Sequence, residues 1–190
     1  ALLPITNRFM YLEEGDIARL TRDSIEVFVN GQPVDRPIKE LDATVSNASK
    51  GEYKHYMLKE IYEQPEAIQQ TISQALNGNA LRDDFLEKAN LDFASITQVQ
   101  ILACGTSYHA GMIAKYWFEQ LIALPCQVEI ASEFRYRSPV IVNNTLYVCI
   151  SQSGETADTL AALRDTQRRA TEKNIHIATM TICNVATSSM

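Results

Sequence analysis

Basic side chains are scarce in this chain, and they gather nowhere. Over 190 residues, 17 Lys and Arg face 23 Asp and Glu, a formal charge of −6. Without a Lys/Arg cluster, nucleic acid and anionic membrane surfaces are not expected as partners. Long apolar runs are missing too; the longest are strand-sized, far short of a membrane span. The opening Ala1-Leu2-Leu3-Pro4-Ile5-Thr6-Asn7-Arg8 lacks the charged start and apolar stretch of a signal peptide, so a cytoplasmic location is expected. Cysteines are few and unpaired in sequence: Cys104, Cys126, Cys149 and Cys183 form no CxxC, and each lies in or beside an apolar β-like run. They are expected to be buried free thiols of a reducing compartment rather than disulfides or metal ligands. Cys104 precedes a helix start, where thiol pKa falls, but no base is placed by sequence to serve it as a nucleophile.

What is present is a repeated grammar of strand, turn and helix. In Val148-Cys149-Ile150-Ser151-Gln152-Ser153-Gly154-Glu155-Thr156 an apolar run from Leu146 stops in hydroxyls and a glycine. Ala157, Leu160, Ala161 and Arg164 then follow at helical spacing. Such a turn aims N–H groups and hydroxyls at one spot, where the helix dipole adds partial positive charge. That spot suits an anion, most naturally a phosphate. No Lys and no GxxxxGK[ST] spacing occur there, which argues against a nucleotide P-loop. Val99-Gln100-Ile101-Leu102-Ala103-Cys104-Gly105-Thr106-Ser107 has the same grammar. Ser and Thr are also favoured helix N-caps, so two ordinary caps are the bland alternative.

The length allows one full domain and part of another. Residues 1–42 read as β-rich: Phe9-Met10-Tyr11-Leu12, then Ile17 to Thr21, then Ser24 to Val29 with period-two alternation. Asn30-Gly31 should turn the chain back through Gln32-Pro33-Val34 as a hairpin. So small a sheet cannot stand alone and is expected to be the end of a larger domain. Residues 43–53 are small, polar and aperiodic, a linker. From Lys54 the pattern turns helical. Met57, Leu58, Ile61 and Tyr62 share one face, and Ile68, Ile72, Ala75 and Leu76 another, with Pro65 opening this second run and Asn77-Gly78-Asn79 ending it. A shorter helix through Phe85, Leu86 and Ala89 follows.

From Val99 strands and helices alternate: strands over 99–103, 127–131, 145–150 and 176–182, helices near 108–121, 132–136 and 157–169. Nearly continuous apolar strands in that alternation imply an α/β fold, a doubly wound parallel sheet with helices on both faces. Met112, Ile113, Tyr116 and Trp117 form a stripe read as core, and His109 beside them as a solvent or capping residue. Ligands of doubly wound sheets sit beyond the strands' carboxyl ends, where the winding reverses. In strand order 2-1-3-4 the turns after the first and third strands would face one crevice. It would offer hydroxyl, amide and N–H donors without a cation, which suits a sugar phosphate.

At this point the residues resemble a known family. Cys-Gly-Thr-Ser-Tyr at 104–108, Glu-Ile-Ala-Ser-Glu-Phe-Arg-Tyr-Arg at 129–137 and Ser-Gln-Ser-Gly-Glu-Thr-Ala-Asp-Thr-Leu at 151–160 are similar to the first sugar-isomerase (SIS) domain of the glucosamine-6-phosphate synthase family, the isomerizing glutamine–fructose-6-phosphate aminotransferases. Leu12 to Ala18 resembles the end of that family's glutaminase domain, and His55 to Pro65 the segment after its interdomain linker. The resemblance implies a flavodoxin-like SIS sheet at 54–190 preceded by a glutaminase remnant at 1–42. It implies phosphate contacts from Ser107, Ser151, Gln152, Ser153 and Thr156, a contact near the sugar from Thr106, and Gly105 as a further substrate-binding residue. It also implies fructose 6-phosphate or glucosamine 6-phosphate as ligand, glutamine as a substrate of the glutaminase part, a homodimer at full length, and no metal or organic cofactor. The family's N-terminal cysteine has no counterpart before Cys104, and its isomerase residues belong to a second SIS domain. The expectation is therefore a fragment with much of the cradle and no catalytic residue. Two other readings stand beside it: a non-enzymatic sugar-phosphate sensor, and an α/β domain without a ligand.

Overall fold

Alternating strands and one strong turn pair build the first of two compact units, Ala1–Arg82 and Asp83–Met190. The computed structural model describes residues 5–40, 50–82, 84, 91–185 and 188–190. In the first unit β1 (Arg8–Met10) pairs antiparallel with β5 (Ile38–Glu40). Strands β2 (Asp16–Leu20), β3 (Ile25–Val29) and β4 (Gln32–Val34) form an antiparallel meander. Asn30 and Gly31 join β3 to β4 with φ of 51° and 78°. Two successive positive φ values give the turn whose twist matches a hairpin, and Asn-Gly adopts it at little cost. The expected β-rich start and its hairpin are thus present. Arg36 reaches Asp16 through Nε and Nη2, both at 2.9 Å, and these bonds hold the Asp16 carboxyl below the usual carboxylate range. Val27 is the sole buried apolar side chain among the unit's described residues.

Helix α1 (Tyr56–Ala75) corrects the expectation of two runs: it is one helix with Pro65 inside it. Leu58, Ile61, Tyr62, Pro65, Ile68 and Ile72 continue in phase, so one amphipathic stripe runs the whole length. Proline removes a single backbone bond and does not reset that stripe. The helix ends where expected, in a tight hairpin of β6 (Leu76–Asn77) and β7 (Ala80–Leu81) around Gly78 at φ 64°. The linker reading up to residue 49 and the short helix through Phe85, Leu86 and Ala89 lie outside the described residues.

The second unit is the expected α/β sheet. Strands β8 (Gln98–Ala103), β9 (Cys126–Ile130), β10 (Thr145–Ile150) and β11 (Ile177–Ile182) are all parallel, in the order β11-β10-β8-β9. Counted within the unit this is the 2-1-3-4 order. Between the strands run α2 (Gly105–Ile122), α3 (Ala131–Tyr136) and α4 (Ala157–Glu172). Val99, Ile101, Leu146 and Val148 point to one face, where Ala114 and Phe118 of α2 pack on them. Leu102, Tyr147 and Cys149 point to the other, under Phe134 of α3 and Ala162 and Leu163 of α4. Burial on both faces explains why these strands lack a polar alternation.

The stripe on α2 is a correction. Met112, Ile113, Tyr116 and Trp117 are 37%, 55%, 56% and 60% exposed, so they face away from the sheet. The helix instead lies on Gly111, buried, with Ala114 and Phe118. A Cβ at Gly111 would sit 3.0 Å from both Ile101 Cγ2 and Val128 Cγ1, so the small residue sets how closely α2 approaches. Helical periodicity identifies an apolar face but not which of two faces meets the core. Gly111→Val is expected to lower stability by about 1–3 kcal/mol through overpacking, measured as a fall in the urea midpoint at unchanged slope.

All four thiols are free, as expected. Cys126 and Cys149 are buried, whereas Cys104 and Cys183 are only half-buried. Burial pushes the Cys126 thiol up to about 11 and the Cys149 thiol up to about 12. Raised folded-state values mean that stability is complete below pH 9.0, the ordinary thiol value, and is lost as pH climbs towards the folded values. Urea midpoints should therefore fall from pH 9 upward, and Cys149→Ala should make that fall shallower. An equally steep fall in Cys149→Ala would show that another group carries it.

Candidate functional site

Strands β8 and β10 are neighbours, and their register sets Ala103 opposite Ile150. Both strands therefore end on one level. Gly105, Thr106 and Ser107 open α2 directly after β8. Residues 151–156 carry β10 into α4. The two helices leave to opposite faces, so both turns flank the point where the winding reverses. Gly105 takes φ 58°, a left-handed conformation open to glycine, as the chain swings from strand to helix. A direct contact joins the first connection to α4: the Thr159 hydroxyl in its first turn lies 3.9 Å from Cys104 Sγ.

Ser151 is buried, with Oγ 2.9 Å from Thr156 Oγ1, and it accepts the Gly154 N–H at 3.1 Å. Ser153 Oγ accepts the Glu155 N–H, also at 3.1 Å. Hydroxyl lone pairs thus hold the loop together. One proton of the Ser151–Thr156 pair lies between the two oxygens, and the other remains a donor, as does the Ser153 proton. Gln152 is exposed beside them, as are Gly105 and Thr106, and Ser107 is half-buried. The bland cap reading does not describe this geometry. Thr156 sits at the N-cap of α4 and Cys104 at that of α2, yet neither makes a side-chain cap bond.

Sequence reading missed what lies behind the loop. Ser151 N–H donates to Ile182 C=O at 3.1 Å, Asn184 N–H to Gln152 C=O at 3.2 Å, and Ser189 N–H to Glu155 Oε1 at 2.8 Å. Gly154, at φ 68°, lies so close to Ser188 that a Cβ there would collide with its Cβ and Oγ. The glycine in Ser153-Gly154-Glu155 was the available signal, but its partner, 34 residues on, was not legible. Arg135 of α3 also grips Asp158 in the first turn of α4, Nη1 to Oδ1 at 2.8 Å. His109 is exposed, its ring edge-on to Tyr108 with centroids 5.5 Å apart. Among the described residues no group of three or more His, Cys, Asp or Glu is placed to hold a metal ion. No helix among them is long and apolar enough to cross a membrane.

Residues 92–190, which contain the whole parallel sheet and both turns, match the family described as "SIS domain". The chain belongs to the SIS-domain family. Curated relatives extend the match to the first unit. The glutamine–fructose-6-phosphate aminotransferase [isomerizing] of Acinetobacter baylyi is 83% identical over 190 residues, 100% of this chain and 31% of the relative. The enzyme of the same description from Pseudomonas syringae pv. tomato is 52% identical over 192 residues, again 100% and 31%. This SIS chain therefore spans about a third of the length of the curated relatives it matches. Among solved structures, the C-terminal domain of glucosamine-fructose-6-phosphate aminotransferase from Francisella tularensis superposes with a TM-score of 0.64 at 51% identity. That match covers 74% of the SIS chain here and 38% of the other.

Proposed function

We propose that this chain is the sugar-phosphate-holding part of an isomerizing glutamine–fructose-6-phosphate aminotransferase. Fructose 6-phosphate or glucosamine 6-phosphate lies across the two turns at the carboxyl ends of β8 and β10. Ser107, Ser153 and one member of the Ser151–Thr156 pair give hydroxyl protons to the phosphate, Gln152 adds an amide donor, Thr106 lines the sugar side, and Gly105 completes the substrate-binding turn. The uncapped starts of α2 and α4 add N–H groups and the positive end of each dipole. The observation that carries the reading is the level pairing of Ala103 with Ile150, which sets two hydroxyl-rich turns side by side. The 83% identity to an aminotransferase over the full 190 residues supplies the substrate class.

In this reading residues 1–42 are the end of a glutaminase domain, 43–53 a linker and 54–190 the first SIS domain. Glutamine is used by the glutaminase part of the longer protein, which works as a homodimer in the cytoplasm without metal or organic cofactor. The residues present bind and orient; none is assigned a catalytic role. No observation favours a sensor without chemistry.

Calorimetric titration with fructose 6-phosphate tests the cradle. A hydroxyl donating to a charged acceptor contributes roughly 1.5–3 kcal/mol. Ser107→Ala and Ser153→Ala, on opposite turns, are each expected to weaken binding about tenfold or more, with folding little changed. Wild-type affinity retained in both variants would sink the assignment.

A further inference from the structure

The loop from Ser151 to Thr156 carries one feature that its proposed ligand does not explain. Glu155 is exposed and places a carboxylate beside the turn meant to receive a phosphate. By charge alone it is unfavourable there, since like charges within a few ångströms repel and the turn has no Lys or Arg to offset it. Its carboxylate is nevertheless engaged: Oε1 accepts the Ser189 N–H at 2.8 Å, across 34 residues of sequence.

That bond closes a line of contacts. Ile182 C=O holds Ser151 N–H, Asn184 N–H holds Gln152 C=O, Ser188 rests against Gly154, and Ser189 is tied to Glu155. Ser188 Oγ is also 3.5 Å from Cys183 Sγ, which anchors it from behind. One wall of the loop, residues 151, 152, 154 and 155, is therefore fixed by the last residue of β11 and by residues 184, 188 and 189 after it. Among the described residues, Ser153 and Thr156 are not bonded to that stretch, their hydroxyl oxygens meeting the Glu155 N–H and Ser151 Oγ instead. Gly154 admits no side chain because Ser188 fills that space and its φ is 68°.

We infer that Glu155 is a positioning residue of the phosphate loop, its carboxylate acting as a staple that seats the Ser188-Ser189 stretch against Gly154. This rests on the reading of the loop as a phosphate cradle. The staple holds Gly154 and Glu155, whose N–H groups lie on Ser151 Oγ and Ser153 Oγ, so it fixes where those two hydroxyls point. Glu155 touches no ligand in this role.

Two substitutions separate positioning from simple charge. Glu155→Gln keeps an oxygen acceptor for Ser189 N–H and removes the repulsion. Glu155→Ala removes both. If the carboxylate matters only as a charge, both variants bind a phosphate more tightly than wild type. If it is a staple, their effects differ in sign: Glu155→Ala weakens fructose 6-phosphate binding about tenfold, and Glu155→Gln binds at least as well as wild type. Inorganic phosphate, titrated in parallel, should follow the same order, because the loop and not the sugar is being positioned. Amide hydrogen exchange at Ser189 and Gly154 supplies a readout that needs no ligand, with faster exchange expected in Glu155→Ala and near-wild-type exchange in Glu155→Gln. Binding unchanged or tightened in Glu155→Ala, or unchanged Ser189 exchange, overturns the staple. A wild-type chain that binds neither fructose 6-phosphate nor phosphate overturns the cradle assignment itself, and with it any positioning role for Glu155.

Discussion

The second unit depends on the in-register parallel pairing of β8 with β10. With Ala103 opposite Ile150, both strands stop together and both following turns open at the same height. A slip of one residue would turn Val99 and Ile101 away from α2 and towards α3 and α4, because side chains alternate between faces. It would also stagger the two turns by about 3.3 Å, more than the length of a hydrogen bond. The packing of both faces and the placement of the turns are thus one constraint. The apolar clusters on either side of the sheet hold the register, and the register holds the site.

Within the second turn, polarity is arranged by lone pairs. Ser151 and Ser153 each accept a backbone N–H from within the loop, which leaves the Ser153 proton and one proton of the Ser151–Thr156 pair as donors. A burial that would otherwise penalise Ser151 is met by Thr156 and Gly154, in line with the rule that buried polar groups find partners. Neutral donors aimed in advance need no reorganisation when an anion arrives. They select by direction, which suits a tetrahedral phosphate better than a diffuse negative charge.

Much of this was legible in the sequence because the relevant signals are local. The apolar run ending at Ile150, the hydroxyls after it and the phase of Ala157, Leu160 and Ala161 describe a strand, a turn and a helix that depend only on neighbours along the chain. Strand order is not written in the sequence; 2-1-3-4 is the arrangement that would let both turns share a crevice, and the sheet has it. What failed to show was set by distant contacts or by a choice between equivalent faces. α2 carries apolar side chains on more than one side, and only the close approach at Gly111 decides that Trp117 looks outward. Pro65 marked a boundary by propensity, but the unbroken stripe from Leu58 to Ile72 carried α1 through it. The bond between Glu155 and Ser189 joins two loops whose compositions announce nothing about each other.

The absence of a cation from the turns bears on how a ligand gets there. This chain carries a formal charge of −6, and a phosphate dianion crossing the solvent towards the proposed cradle meets a net repulsive field that no Lys or Arg in either turn offsets. Salt shortens the reach of that field to about 10 Å at 0.1 M. Encounter should therefore quicken as ionic strength rises, the reverse of what a lysine-lined phosphate site shows. Once inside, the contacts are short-ranged dipoles that salt hardly touches. Capture and retention would answer differently to the same change of medium, the first governed by the whole chain's charge and the second by a handful of hydroxyl protons.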